Sequence, residues 1–418
     1  MSVKLNSGSL ASFIICVTPF IGVINILIGI ERSVSFGQIV RMTLLCLMHC
    51  VLLMEVPFHS LLIILLTVAL ALREALYSAF CNVSFMQAVV YDIYYIYVLS
   101  FFALLMRACK SGHIVKKDIW NFSKRFALIT AFSVIIAKLL GVGLEYSSTG
   151  LQRLFGSANA LTATLVWGAS LWLYEAFYGE RTPKSLFASL LIIYCASSQG
   201  TKAGLIGSFA CIGLIFFHSF FIRFNPLKAA VLIGIGAIVA VTLYYYFTSG
   251  DGMMVLERWK YFIGRVDAHK KSVLSFVLSS RDEKLFRGMS FWIKDWAAPF
   301  IGFSFPYLDY QVHLIAPTSN YAATEMDIFD LFLFYGSFLG GGIALYLTRR
   351  ALQCAIRVFR RQSDAYDAVL YIIFYILMFM GGHVLNSPFA GVAFCLSLAL
   401  TDRSIRRENG NRRPARCV

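Results

Sequence analysis

Apolar runs of membrane-crossing length recur from one end of this chain to the other. They fall at about 10–30, 38–54, 58–76, 88–108, 126–144, 158–178, 185–198, 203–222, 227–248, 326–347, 366–383 and 386–401, twelve in all. About 20 apolar residues in a helix cover the ~30 Å hydrocarbon core of a bilayer. Within that core only helices and closed barrels satisfy their own backbone polar groups. The 418 residues are 59% hydrophobic and 14% charged, where a soluble domain would carry roughly 25% charged. These runs therefore specify an all-α, polytopic helical membrane protein of about twelve spans. One long polar stretch interrupts them, dividing the chain into a membrane domain (1–248), a large loop (249–325), a second membrane segment (326–401) and a basic tail (402–418).

The net charge of +15 follows the expected orientation in the bilayer and does not call for nucleic acid as a partner. With the N-terminus inside, the inner loops hold Arg107, Lys110, Lys116, Lys117, Lys124 and Arg125, then Arg181, Lys184, Arg223 and Lys228. Arg349, Arg350, Arg357, Arg360, Arg361 and the tail arginines follow on the same side. The short outer loops hold only Arg32, Arg41, Arg73, Arg153 and Lys202. This is the positive-inside pattern, with both termini cytoplasmic in a bacterial inner membrane. The run from Leu10 to Ile30 is too long for a signal-peptide core and reads as a retained first span. Ten cysteines sit mostly in or beside apolar runs, with none in the long loop, so neither a disulfide framework nor a thiolate metal site is expected.

The large loop then faces outward. It begins with cations (Arg258, Lys260, Arg265, Lys270, Lys271, Arg281, Lys284, Arg287, Lys294) and ends in carboxylates (Glu325, Asp327, Asp330). Val255, Trp259, Phe262 and Val266 repeat at helical spacing, as do Leu285, Met289, Trp292 and Trp296. That pattern predicts two amphipathic helices at the outer membrane–water boundary. Inside the spans, Asp92 and Lys138 are expensive charges, and an ion pair between them is the structural expectation. The turn from Ser197 to Gly204 sets Lys202 and several N–H groups at the outer face, a weak anion-binding signal. Glu325, Asp327 and Asp330 open the tenth span, where carboxylates suit the positive helix end. Thr324 with Asp327 three residues on has the spacing of a capping box. Zinc-protease, Walker and nucleophile-elbow motifs are all absent from the chain.

Several short elements, in order, resemble the bacterial O-antigen and exopolysaccharide polymerases and the related O-antigen ligases. Gly156-Ser157-Ala158-Asn159 is similar to that family's glycine-then-Pro-Asn turn, with Ala158 in place of proline. Ser197 to Gly204 is similar to its serine-and-arginine turn, with Lys202 where arginine is usual. Arg281 and Arg287, followed by Pro299 and Gly302, resemble the start of its large periplasmic loop. Glu325, followed eleven residues later by Gly336, matches the spacing of the ligases' histidine-to-glycine element, with glutamate replacing the histidine. Gly382-His383 is similar to a C-terminal Gly-His turn.

The resemblance implies a membrane glycosyltransferase of the C type that uses undecaprenyl-diphosphate-linked oligosaccharides. It implies Arg281, Arg287, Lys202 and Arg153 as diphosphate ligands, Glu325 as general base, and Asp327 or Asp330 as groups that orient the base or the acceptor. Asn159 and His383 would hydrogen-bond sugar or phosphate. Glutamate at 325 favours a repeat-unit polymerase over a ligase, and a chain-length regulator and membrane lipids are the expected partners. Glu325 and Asp327 could also offer two carboxylates to a divalent metal, but the related ligases imply metal-free chemistry and no cofactor is expected. A flippase for an anionic glycolipid is the reading from another class. It should show charges deep in several spans and paired interrupted helices, whereas the polar residues here collect at one face and in one loop.

Overall fold

A computed structural model describes residues 6–27, 36–140, 144–146, 151–153, 158–179, 182–199, 201–218, 281–315, 324, 326–380 and 384–405, with isolated positions between 226 and 248. The first membrane segment comprises α1 (Ser7–Leu27), α2 (Phe36–Glu55), α3 (Pro57–Cys81), α4 (Phe85–Lys110) and α5 (Lys116–Leu140), then α6 (Ala158–Tyr178), α7 (Pro183–Ser197) and α8 (Lys202–Phe217). The loop contributes α9 (Arg281–Lys294), α10 (Ala298–Ile301) and α11 (Phe305–Ile315). The second membrane segment comprises α12 (Asp327–Tyr335), a π-helical turn (Gly336–Gly340), α13 (Gly341–Phe359), α14 (Ala365–Met380) and α15 (Pro388–Leu400). Among the described residues, the exception to helix is one short antiparallel ribbon, β1 (Leu144–Tyr146) with β2 (Leu151–Arg153).

Each expected span coincides with a helix except 227–248, which lies, but for isolated positions, outside the described residues. Four described helices are long and apolar enough to cross a bilayer: Phe36–Glu55, Pro57–Cys81, Phe85–Lys110 and the composite Asp327–Phe359. Shorter apolar helices, α7, α14 and α15 among them, stand beside these. This is the pattern of a helical membrane protein, with four helices of membrane-crossing length among its described residues.

Helix starts follow local chemistry. Proline occupies the first turn of α3, α7 and α15, where its missing N–H costs nothing. Ser84, Thr182, Thr201 and Ser387 accept N–H bonds at the starts of α4, α7, α8 and α15. Apolar in every direction, α15 is buried along its whole length and packs against α1, α4, α5, α6 and α14, as an all-round hydrophobic helix must. By contrast, α3 exposes Phe58, Leu61, Leu62, Leu65, Val68 and Leu72, a lipid-facing row.

The basic end of the bundle is laced by ion pairs between elements: Arg107–Glu55 at 2.9 Å, Lys116–Asp367 at 2.6 Å, Lys124–Glu175 at 3.1 Å and Arg403–Asp364 at 3.2 Å. Lys116 and Lys124, expected in an inner loop, therefore sit in the first turns of α5. Three further expectations are corrected. Asp92 does not pair with Lys138: Arg73 and Tyr335 hold it, and Lys138 reaches the Tyr194 hydroxyl at 3.5 Å. Arg73 is no outer-loop residue but a buried residue of α3, 8% exposed. The tenth span is not one helix, because it breaks between Tyr335 and Gly341.

Candidate functional site

The first turn of α12 carries two buried carboxylates, Asp327 and Asp330. The helix is capped from Met326 with no side-chain cap bond, so the expected Thr324–Asp327 capping box does not form. Thr324 lies two positions outside the N-cap. Instead, Thr324 donates through its N–H and its hydroxyl to Asp330 Oδ1, both at 2.8 Å. Asp327 Oδ2 accepts from the N–H groups of Val384 at 2.7 Å and Leu385 at 3.3 Å. One carboxylate thus fixes the residue before Glu325, and the other fixes the residue after His383. Glu325 and His383 themselves lie outside the described residues.

The basic helix of the loop lies on this element. Gly288 of α9 is buried against Leu333 of α12, so close that a Cβ there would stand 2.9 Å from Leu333 Cδ1. Arg287 is next to this crossing, and Arg281 is about 10 Å further along the helix axis. Both are half-buried. Asp327 is about 9 Å from Leu333 along α12. The other expected amphipathic helix, around Trp259, falls outside the described residues.

At its other end, α12 stops at a backbone contact. Gly302 (φ 75°, ψ 176°) and Gly336 (φ 67°, ψ −176°) occupy a region open essentially to glycine alone. A Cβ on Gly302 would lie 2.3 Å from the Phe334 carbonyl carbon, and one on Gly336 would lie 2.2 Å from the Phe300 oxygen. The two glycines singled out in separate sequence elements therefore meet. Phe303 N–H donates to Leu333 O at 2.7 Å. The Arg73 guanidinium bridges both chains, donating to the carbonyls of Ile301 and Phe334. Its other nitrogens face Glu74 and Asp92, and Tyr335 donates its hydroxyl to Asp92 Oδ1 at 3.0 Å. Tyr91 stacks on Phe305 with ring centroids 4.3 Å apart, seating α11 against α4. The loop thus returns into the bundle and does not merely rest at the interface. Non-helical backbone at membrane depth requires such internal partners.

The remaining predicted residues stand at element ends away from Asp327. Thr201 caps α8 by accepting from Gly204 N–H at 2.9 Å and meets Thr162 of α6 at 3.0 Å. Half-buried Asn159 opens α6 one turn before Thr162. Lys202 begins α8 and Arg153 ends β2, but their side chains are outside the described residues. No described contact joins these residues to Asp327. Sequence reasoning missed Arg73 and Glu74, although an Arg-Glu pair inside an otherwise uncharged apolar helix was a signal of a buried network. Among the described residues no cluster of three metal-ligating side chains occurs.

Comparison with known proteins finds no matching family model, no matching curated protein and no matching solved structure.

Proposed function

We propose that this chain is a membrane glycosyltransferase that polymerises lipid-linked repeat units. It would move a growing glycan from a polyprenyl diphosphate onto the sugar of a second lipid-linked unit, at the outer face of the membrane. One observation carries this reading. The cationic helix α9 packs on α12, whose first-turn carboxylates fix the neighbours of Glu325 and His383.

In the proposed step an acceptor hydroxyl oxygen attacks the donor's anomeric carbon, and the bond from that carbon to the phosphate oxygen breaks. The diphosphate leaves with the electron pair, and the hydroxyl proton passes to Glu325. Arg281 and Arg287 are the candidates to neutralise the departing diphosphate, since guanidinium forks match phosphate oxygens. Asp330 and Asp327 would orient the segments that display Glu325 and His383 rather than exchange protons.

The break at Gly336 favours a second reading, transport, because interrupted helices recur in transporters. Here, however, Arg73 and Phe303 take up the freed carbonyls of Phe334 and Leu333, which leaves those groups serving the fold and not a path. Incubating purified protein with lipid-linked repeat units separates the readings. Ladders on the carrier lipid support polymerisation, transfer to a lipid A–core acceptor indicates a ligase, and no covalent product favours transport. Glu325→Gln should lower polymer output by roughly 100-fold or more. Unchanged output at normal protein levels would sink the catalytic proposal.

A further inference from the structure

Beneath the Asp327 turn lies a half-open cavity of about 260 Å³ between α3, α4, α12, α13 and α15. Its wall includes Leu331 and Leu385 at one end, then Tyr95 and Leu99, with Phe102 and Leu398 further along. Leu385 is the residue whose N–H donates to Asp327, so the cavity begins directly below that carboxylate. Along α4 the lining runs from Tyr95 to Phe102, roughly 10 Å, about two thirds of one leaflet of a ~30 Å hydrocarbon core. The lining is apolar except for its tyrosine tips, and a site of that kind does not hold ordered water. An apolar cavity of ~150 Å³ already accommodates benzene, so this one has room for a longer hydrocarbon. Its flank is continuous with the lipid-facing surface, where Leu65 of α3 and Leu345 and Tyr346 of α13 are exposed.

We infer that this groove seats the hydrocarbon chain of the lipid-linked substrate, which enters sideways from the bilayer with its polar head at the Asp327 turn. The inference rests on the glycosyl-transfer reading for the identity of the lipid, and its source is taken to be the prenyl carrier rather than a phospholipid. Registry supports that choice. The groove ends at Leu385, whose N–H bonds Asp327, close in sequence to the candidate groups Glu325 and His383, and a bulk lipid would have no need of that alignment.

The test uses full-length protein in nanodiscs with a polyprenyl diphosphate carrying a benzophenone on its chain. Photolabel should map to the segments around Leu99 and Leu339, and excess phosphatidylglycerol should not compete it away. Leu99→Trp and, separately, Leu339→Trp fill the groove from opposite walls, and each should cut labelling by roughly tenfold or more. Using two variants covers the case in which one fails to fold. Labelling confined to other segments, or unchanged in both folded variants, overturns the inference, as does equal labelling by a photoreactive phosphatidylglycerol. Groove labelling by the prenyl probe without any glycan product from repeat units leaves the groove standing and removes the transfer reading.

Discussion

At the scale of single residues, the contact between Gly302 and Gly336 makes the sharpest demands. Alanine at either position must adopt a glycine-only conformation, which costs about 1–3 kcal/mol, and must also push its Cβ into the facing backbone. Gly302→Ala and Gly336→Ala should each lower the unfolding midpoint in detergent clearly. Gly342→Ala, with nothing within 4 Å of its Cβ, should leave the midpoint unchanged or slightly raised. Equal midpoints for all three would contradict the described contact. Arg73 makes a second demand. Arg73→Ala leaves Glu74 and Asp92 buried without their cation, and breaking such a buried pair costs about 3–5 kcal/mol. Arg73→Lys should recover only part, since an ammonium cannot span the two carbonyls and the carboxylates with one planar fork. Full recovery by lysine would show that charge alone matters there.

At the scale of elements, the helices were legible because apolar runs and cap residues are local. Pro57, Thr182 with Pro183, and Ser387 with Pro388 announce α3, α7 and α15. The break in α12 was not legible, although Gly336 was noticed, because a glycine in an apolar run does not reveal which backbone will approach it. The partner chain is 34 residues away at Gly302. Asp92 was likewise recognised as a buried charge needing a partner, but choosing Arg73 over Lys138 depends on how α3 and α4 pack. Of the candidate site, the cations and carboxylates were legible as types. The way Asp330 and Asp327 hold residues 324 and 384 was not, because those bonds depend on tertiary placement. The α9–α12 crossing yields a test at this scale. Alanine at Gly288 presses only on the mobile end of Leu333 and should be absorbed, whereas Gly288→Leu should lift α9 away from α12. The expected result is a folded protein with faster proteolysis between residues 281 and 304 and roughly tenfold weaker retention of polyprenyl diphosphate. Unaltered proteolysis and retention would mean that the crossing does not position the basic helix.

At the scale of the whole molecule, the ion pairs of Glu55, Asp367, Glu175 and Asp364 gather at the basic end and the Arg73 network and loop elements at the other, and each end carries a prediction. Asp364, between α13 and α14, pairs with Arg357 and Arg403. Burial alone would raise its carboxyl, but the hydrogen bond and charge of Arg403 and the charge of Arg357 outweigh that and hold it below its ordinary value. The unfolded chain therefore binds this proton more tightly than the folded one. The stabilisation is complete above the usual carboxylate range, near pH 4, and fades as pH falls through that range to the lowered value. Asp364→Asn should be less stable at pH 7 and should lose less stability than the parent between pH 5 and 3, measured as unfolding midpoints in detergent. Identical acid slopes would remove Asp364 from the latch. The orientation of the two ends then decides whether the proposed chemistry has access to its substrate. Positive-inside bias predicts the basic end in the cytoplasm and α11 on the outer side. Exposed Tyr310 on α11 and exposed Ser111 between α4 and α5 mark the two ends. In intact cells Tyr310→Cys should react with a membrane-impermeant maleimide, and Ser111→Cys should react only after lysis. The reverse pattern would place the loop, the Asp327 turn and the carrier-lipid groove beneath it on the cytoplasmic side, and polymerisation at the outer face would have to be abandoned.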